Sequence, residues 1–181
     1  MSKNEYNCKE NRREDWETPD WLFNTLDRVF HFGIDLAADF RNFKCNTFID
    51  DRSDFLRVST QAKVKEIDRW KWCNPPYKPR GCIKWVNPLS RLDKVVVLLP
   101  ASVGAKWFTS VWGGFDLIIF LDKRLTFKGA PSTAQFDNCI AIRGNNRNLV
   151  LSDKETSILR SLGTLVYSNN IITKRVLRNS V

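Results

Sequence analysis

Four consecutive residues, Asn74-Pro75-Pro76-Tyr77, directly follow a short strand-like run at residues 70–73 and combine groups that could hold a planar amino group. The two prolines fix the backbone and remove two N–H donors, so a carbonyl such as that of Pro75 can accept a hydrogen bond from a ligand. The amide oxygen of Asn74 is a second acceptor, and the ring of Tyr77 is a surface on which a base could stack. The motif therefore predicts a rigid pair of acceptors beside an aromatic platform.

Such acceptors could activate the nitrogen of an amide or of an aromatic amine. This nitrogen is a poor nucleophile because its lone pair is delocalised into the neighbouring π-system. Acceptors that hold both of its N–H groups favour a pyramidal nitrogen and direct the lone pair towards an electrophile, for example the methyl group of a sulfonium ion. An ordinary turn at the end of a strand is the alternative interpretation, since Asn and Pro are common turn residues.

The chain around the motif alternates between helical and strand patterns. Thr18 as N-cap and Pro19 as the first helical residue predict the start of a helix, because an apolar face at helical spacing begins at Leu22. Further helices are predicted at residues 83–92, 105–112 and 153–162. Strands are predicted at residues 34–37, 47–49, 70–73, 94–100, 116–121, 138–143 and 164–167, with a short extended piece at 124–127. Helices that alternate with apolar strands indicate an α/β sheet.

Acidic residues accompany two of the predicted strands. Asp35 belongs to the first strand, Asp50 and Asp51 follow the second, and the motif that begins at Asn74 follows the third. Ligands of open α/β sheets bind at the carboxyl ends of the strands, so we expect these groups to share one site. Taken singly, each carboxylate could instead be solvated or cap a strand.

The composition favours one domain with a polyanionic partner. At 181 residues, 43% of them hydrophobic, the chain can bury a core without disulfides, and its net charge of +9 favours a partner such as nucleic acid. The excess of positive charge begins directly after the motif, at Lys78, Arg80 and Lys84. A solvated helix face is the alternative interpretation of these basic residues.

Several classes of site and protein are not expected. The five cysteines contain no C-x-x-C pair and His31 is the one histidine, so we predict no metal site and interpret the cysteines as reduced thiols of a cytoplasmic protein. No apolar run approaches the roughly 20 residues that cross a bilayer, and the first residues lack the apolar core of a signal peptide. A membrane partner is therefore not expected.

The motif and its flanks resemble a known family, the phage-type DNA N6-adenine methyltransferases of the Dam type. The resemblance covers residues 16–143 and rests on Trp16-Glu-Thr-Pro19, Phe32-Gly-Ile-Asp-Leu-Ala-Ala38, Lys44-Cys45, Trp72-Cys-Asn-Pro-Pro-Tyr77, Val97-Leu-Leu-Pro100, Trp107-Phe108 and Arg124-Leu-Thr-Phe127. It implies a single-domain α/β fold with a Rossmann-like class I methyltransferase sheet, whose last strand we expect to be antiparallel. It also implies S-adenosyl-L-methionine as cofactor and adenine in double-stranded DNA as substrate.

We expect a polar arm at residues 1–15, the methyltransferase domain at 16–145, and an extension at 146–181 packed on or beside that domain. The expected unit is a monomer in the cytoplasm of a bacterial host. Whether it would serve restriction-modification or regulation is left open by the residues.

The resemblance also assigns roles to individual residues. Catalysis falls on the motif, Asn74, Pro75, Pro76 and Tyr77. Thr18-Pro19 resembles the segment that closes over the methionine end of the cofactor, and Asp35 matches the acidic position at the end of the first strand. Asp50 or Asp51 matches the carboxylate for the ribose hydroxyls, and Asp54 the one that receives the adenine amino group. From the local charge, Lys78, Arg80 and Lys84 are expected to contact DNA phosphates.

Two alternative functions share these features. An enzyme that methylates the side-chain amide of glutamine in a protein would use the same motif on the same kind of nitrogen, although the basic run and the adenine-family flanks argue against it. A non-catalytic DNA-binding protein with the same fold is the other alternative, against which the intact motif argues. A cytosine C5 methyltransferase is excluded, because the chain has no Pro-Cys pair to supply the nucleophile.

Overall fold

The computed structural model describes residues 17–50, 53–77 and 81–168. Within these ranges the chain forms five α-helices, one short 3-10 helix and six strands. In chain order the elements are α1 (Asp20–Phe30), β1 (Ile34–Asp35), α2 (Val58–Lys65), β2 (Lys71–Cys73), α3 (Gly81–Leu89), β3 (Val95–Pro100), the 3-10 helix (Lys106–Phe108), α4 (Thr109–Gly114), β4 (Leu117–Leu121), β5 (Asn138–Arg143), α5 (Asp153–Arg160) and β6 (Gly163–Tyr167).

The strands form one mixed sheet in the order β1-β2-β3-β5-β4-β6. β1, β2 and β3 are parallel, whereas β5 pairs antiparallel with both β3 and β4, and β6 pairs antiparallel with β4. Phe48 adds a parallel bridge to Asp35 on the outer side of β1. The expected α/β class is confirmed, and the last strand runs antiparallel to its neighbour.

The central strand β3 is buried on both faces because helices cover the sheet from both sides. Val96 and Leu98 belong to an apolar cluster with residues of α1 and α5, which we call the α1 core. Val95, Val97 and Leu99 belong to a second core with residues of α3 and α4. A strand with no solvent-exposed face reads as a continuous apolar run, as this one does. The predicted apolar face of α1 is likewise its buried face: Leu22, Phe23, Leu26, Val29 and Phe30.

The first helix begins one residue later than the sequence predicts. Pro19, with φ −58° and ψ 135°, is the N-cap, and the helix starts at Asp20. The carbonyl of Pro19 accepts hydrogen bonds from the N–H groups of Leu22 and Phe23. Thr18 is therefore not the N-cap, because the extended backbone of Pro19 keeps that residue outside the helix.

Three other local predictions differ from the structure. α2 was not predicted, because Val64 is its one buried residue and the segment lacks an apolar period. Residues 47–49 contribute a single bridge at Phe48 rather than a strand, since β1, their pairing partner, is only two residues long. Residues 124–127 lie in no strand; Leu125 and Phe127 are instead buried in the α1 core.

The route of the chain opens a crevice at one edge of the sheet. From β1 the chain first pairs at Phe48 on the outer side of β1 and then returns to form β2 on its inner side. Where the chain reverses direction across a sheet in this way, the connections leave in opposite directions and a crevice forms outside the carboxyl ends of the adjacent strands, here β1 and β2. The crevice therefore lies beside Asp35 and Asn74.

The described ranges contain neither a helix that could span a membrane nor a cluster of side chains that could hold a metal ion. No helix within them has the length and apolar character needed to cross a bilayer. In the same ranges no group of three or more His, Cys, Asp or Glu side chains is arranged to hold a metal ion. Four cysteines are buried thiols outside any disulfide: Cys45, Cys73, Cys82 and Cys139.

Candidate active site

A cleft of about 200 Å³ lies at the carboxyl ends of β1 and β2. Six of the residues selected from the sequence line it: Thr18, Asp35, Asp50, Asp54, Asn74 and Pro76. They come from four separate segments of the chain, so the fold is what makes them neighbours. Pro19, Pro75 and Tyr77 are not among the lining residues.

Asp35 is the buried acid of the cleft, with 3% of its surface exposed. Its Oδ1 accepts a hydrogen bond from the N–H of Ala37, and its Oδ2 accepts one from the N–H of Lys44, both at 3.1 Å. Burial raises the pKa of the Asp35 carboxyl to about 6, although the two amides act in the opposite direction. At neutral pH the group is therefore ionised but poorly hydrated, and a cationic ligand would compensate for the lost hydration.

Asp50 and Asp54 lie on the loop that precedes α2, and local hydrogen bonds fix them. The main-chain oxygen of Asp50 accepts from the N–H of Asp54 at 2.8 Å, and its Oδ1 accepts from the N–H of Ser53 at 2.9 Å. Asp54 has a φ of 43°, and its Oδ1 accepts from the N–H of Leu56 at 2.9 Å. This left-handed conformation suits Asp and Asn better than most residues other than glycine. The turn thus presents two carboxyl groups to one cleft.

Thr18 reaches the cleft because the segment before α1 is tied to the segment after β4. Glu17 and Lys128 form an antiparallel bridge, and the Nζ of Lys128 lies 3.2 Å from the Oε2 of Glu17. Thr18, the next residue, is 2% exposed. The position of Thr18-Pro19 therefore depends on a contact with a residue more than a hundred positions away in the chain.

Asn74 enters the cleft directly from the end of β2, and Tyr77 lies behind it. The hydroxyl group of Tyr77 donates its single hydrogen to two acceptors that share it, the Oδ1 of Asn74 at 2.9 Å and the carbonyl oxygen of Leu98 at 3.1 Å. Burial raises the pKa of Tyr77 well above its ordinary value, so the phenol stays protonated and can donate. An amide oxygen has two lone pairs, so this bond is compatible with a second bond from a ligand.

The ring of Tyr77 packs against the α1 core. It meets Phe127 and Phe136 with interplanar angles of 75° and 78°, so neither ring is stacked parallel on it. In this arrangement Tyr77 supports Asn74 from the side of the core. The stacking of a base on Tyr77 stays a prediction.

The residues expected to contact DNA are only partly described. Lys78 and Arg80 lie outside the described residues, as does Asp51. Lys84 is exposed on α3, the helix that follows the motif. This position is compatible both with a phosphate contact and with a solvated surface.

The cleft also contains residues to which the sequence assigned no role. Lys44 and Asn42 come from the loop after β1. Phe55, which directly follows Asp54, is stacked on Trp85 of α3 with 5.5 Å between the ring centroids and an angle of 19°. The sequence contained a signal for Lys44, because this residue belongs to a segment of the family resemblance. No sequence signal pointed to Trp85, because its helix reaches the cleft only through packing on the sheet.

The lining of the cleft is strongly acidic. Five of its residues carry carboxyl groups and one carries an ammonium: Glu17, Asp35, Asp39, Asp50, Asp54 and Lys44. Carboxylates accept hydrogen bonds and attract cations, whereas the stacked rings of Phe55 and Trp85 suit a flat aromatic group. The cleft therefore fits a ligand that combines cationic groups, hydroxyls and a planar ring.

Comparison with known proteins shows the family to which the chain belongs. The family model of DNA N-6-adenine-methyltransferase (Dam) matches residues 5–174. The DNA N-6-adenine-methyltransferase of Haemophilus phage HP1 is 28% identical over 127 residues, which cover 67% of this chain and 70% of that protein. The enzyme of the same name from Escherichia phage T1 is 27% identical over 117 residues, which cover 63% of this chain but only 47% of the phage T1 protein. Because the family model matches nearly the whole chain, the protein belongs to the DNA N-6-adenine-methyltransferase (Dam) family, as its sequence motifs predict.

Proposed function

We propose that the protein transfers a methyl group from S-adenosyl-L-methionine to the N6 amino group of an adenine that is flipped out of double-stranded DNA. The reaction is inferred from the family, and the residues are assigned from the lining of the cleft. The observation that carries the assignment of residues is the convergence of Asn74 with Asp35, Asp50 and Asp54 in one cleft.

The order of the strands supports a Rossmann-like class I methyltransferase sheet. Three parallel strands lie side by side, and the chain reverses direction across the sheet at β1. Doubly wound sheets bind their ligands at such a reversal. The antiparallel β5, placed between β3 and β4, completes the mixed sheet.

The chemistry of the lining fits S-adenosyl-L-methionine. The acidic groups suit its ammonium and sulfonium, and we assign Asp35 to the methionine end together with Thr18-Pro19. Asp50 is assigned to the ribose hydroxyls and Asp54 to the adenine amino group, with Phe55 and Trp85 beside the adenine ring. When bound, the cofactor supplies an electrophilic methyl group.

The residues of the motif prepare the amino group that receives the methyl. The Oδ1 of Asn74 and the carbonyl of Pro75 accept hydrogen bonds from the two hydrogens of N6, while Tyr77 holds Asn74 and offers its ring to the base. Pro75 and Pro76 keep the backbone rigid, since a proline has a fixed φ and no N–H donor. An adenine inside the duplex cannot reach these groups, so base flipping is required.

The basic residues near the motif supply the remaining contacts. We assign Lys78, Arg80 and Lys84 to DNA phosphates, because the charge excess of the chain begins there. The phage relatives support action on DNA within a bacterial cell, and we propose a monomer as the active unit.

Transfer of a labelled methyl group tests the proposal. Purified protein should label duplex DNA and leave a glutamine-bearing protein substrate unlabelled, with Asn74→Ala as the inactive control. Labelling of the protein substrate alone would favour a glutamine methyltransferase, and labelling of neither substrate would favour a non-catalytic DNA-binding protein. Expression in a host without adenine methylation, followed by digestion with methylation-sensitive enzymes at GATC and other sites, would identify the target sequence.

A further inference from the structure

We propose, on the basis of the proposed function, that Lys44 binds the α-carboxylate of S-adenosyl-L-methionine. This residue would supply a positive contact in a cleft whose other charged lining residues, in the described part of the chain, are acidic. Two observations support the assignment, namely the distribution of charge in the lining and the position of Lys44 beside Asp35.

The acidic lining of the cleft favours a cation as partner for the carboxylate of the ligand. The cofactor carries two positive groups and one carboxylate, whereas the lining carries five carboxyl groups. A ligand carboxylate among these groups is repelled unless a positive charge faces it. Among the lining residues in the described part of the chain, Lys44 alone carries such a charge.

Lys44 lies next to the residue assigned to the ammonium of the same ligand. Its N–H donates to the Oδ2 of Asp35 at 3.1 Å, and its positive charge opposes the rise of the Asp35 pKa that burial causes. The ammonium and the carboxylate of methionine are attached to one carbon atom, so their two partners must be close together. The main chain of Lys44 contacts the Asp35 carboxyl, and the charge of the Lys44 ammonium acts on that carboxyl, so the two residues meet this condition with opposite charges.

The ammonium of Lys44 forms an ion pair with Asp20, which is not among the lining residues of the cleft. Its Nζ lies 2.5 Å from the Oδ1 of Asp20, and the side chain of Lys44 is 10% exposed, whereas that of Asp20 is 63% exposed. An ammonium has three hydrogens, so this bond is compatible with a second bond to a carboxylate. The exposed Asp20 is screened by water and neutralises Lys44 only in part.

A purely structural role of Lys44 is the competing explanation. The pair with Asp20 ties the loop after β1 to α1 and could hold the shape of the cleft without touching the ligand. A pair of ligands that differ only in the carboxylate separates the two roles. If Lys44 only held the shape of the cleft, its replacement would change the affinity for both ligands equally.

The test compares the binding of S-adenosylhomocysteine and its decarboxylated analogue by isothermal titration calorimetry. The wild-type protein should bind the carboxylated ligand more tightly by about tenfold, as expected for a hydrogen bond to a charged group. Lys44→Gln should remove this preference and leave the affinity for the decarboxylated ligand nearly unchanged. Lys44→Arg should retain most of the preference, because it keeps the charge.

Two control variants complete the experiment. Asp20→Asn breaks the ion pair with Lys44, and Lys63→Gln removes an exposed charge of α2; both should keep the preference. A preference that persists in Lys44→Gln, or that disappears equally in Asp20→Asn, would overturn the inference. If the wild-type protein binds neither ligand, the proposed cofactor itself is wrong and the role of Lys44 with it.

Discussion

The hydroxyl oxygen of Tyr77 lies 2.9 Å from the side-chain oxygen of Asn74 and 3.1 Å from the main-chain oxygen of Leu98, and these two acceptors share its single hydrogen. The amide assigned to catalysis is thereby tied to the central strand β3 by the aromatic residue of its own motif. Because β3 is buried throughout, this contact gives Asn74 a rigid support. The relationship leads to separate predictions for the two residues.

Replacement of Asn74 tests the acceptor itself. Asn74→Ala should lower kcat for methyl transfer by about 100-fold or more, as expected when an oriented electrostatic group is removed from an active site. Binding of S-adenosylhomocysteine, measured by calorimetry, should stay close to that of the wild type. Asn74→Asp keeps an acceptor oxygen at the same place and should retain part of the activity. Normal turnover of Asn74→Ala would contradict the role assigned to this residue.

Replacement of Tyr77 separates the hydroxyl group from the ring. Tyr77→Phe keeps the ring but leaves Asn74 without this partner, so we expect about a tenfold loss of kcat. The free energy of unfolding in urea should fall by about 1 kcal/mol, a typical value for one hydrogen bond. Tyr167→Phe, which changes a partly buried tyrosine of β6, is the matched control. A kcat equal to that of the wild type would show that the hydroxyl does not orient Asn74.

The buried carboxyl of Asp35 should make the stability of the protein depend on pH. Because its pKa is raised from 3.8 to about 6, the folded protein holds a proton between these values that the unfolded chain has lost. The stabilisation is complete below about pH 4 and is lost as the pH rises through about 6. The stability of the wild type relative to Asp35→Asn should therefore fall by up to about 3 kcal/mol over this interval.

Urea unfolding at several pH values measures this difference. Asp122→Asn, which changes an exposed carboxylate, is the control and should give a curve parallel to that of the wild type. If the curve of stability against pH for Asp35→Asn ran parallel to that of the wild type, the carboxyl of Asp35 would ionise as readily in the folded protein as in the unfolded chain.

The basic residues near the motif should act on DNA of any sequence. Neutralisation of Lys84 should weaken DNA binding uniformly and reduce the salt slope, log Kd against log salt concentration, by about one unit. Replacement of Lys78, Arg80 and Lys84 together should reduce the slope further. Lys154→Gln, an exposed residue of α5 that is distant from the motif in sequence, is the control. An unchanged slope in the triple variant would assign these residues to the solvated surface.

The sequence by itself determined most of the helices and strands and the family. The apolar face of α1 and the continuous apolar run of β3 were readable because helix and strand periodicity and burial leave a local pattern. The motif at Asn74 was readable because two prolines and an amide restrict the backbone and its hydrogen bonds within four residues. These local patterns, with their order along the chain, were sufficient to identify the family.

Only the tertiary structure decided which of these residues meet. Thr18 is placed by the pairing of Glu17 with Lys128, and Trp85 reaches the cleft through the packing of α3. Tyr77, which follows β2, contacts Leu98 of the neighbouring strand β3. The helix α2 has no apolar period from which the sequence could predict it. Lys44 lies in the loop after β1 and contacts both Asp20 of α1 and Asp35 of β1. Such contacts depend on the order of strands and on packing, which bring together residues far apart in the chain and therefore leave no local pattern to read.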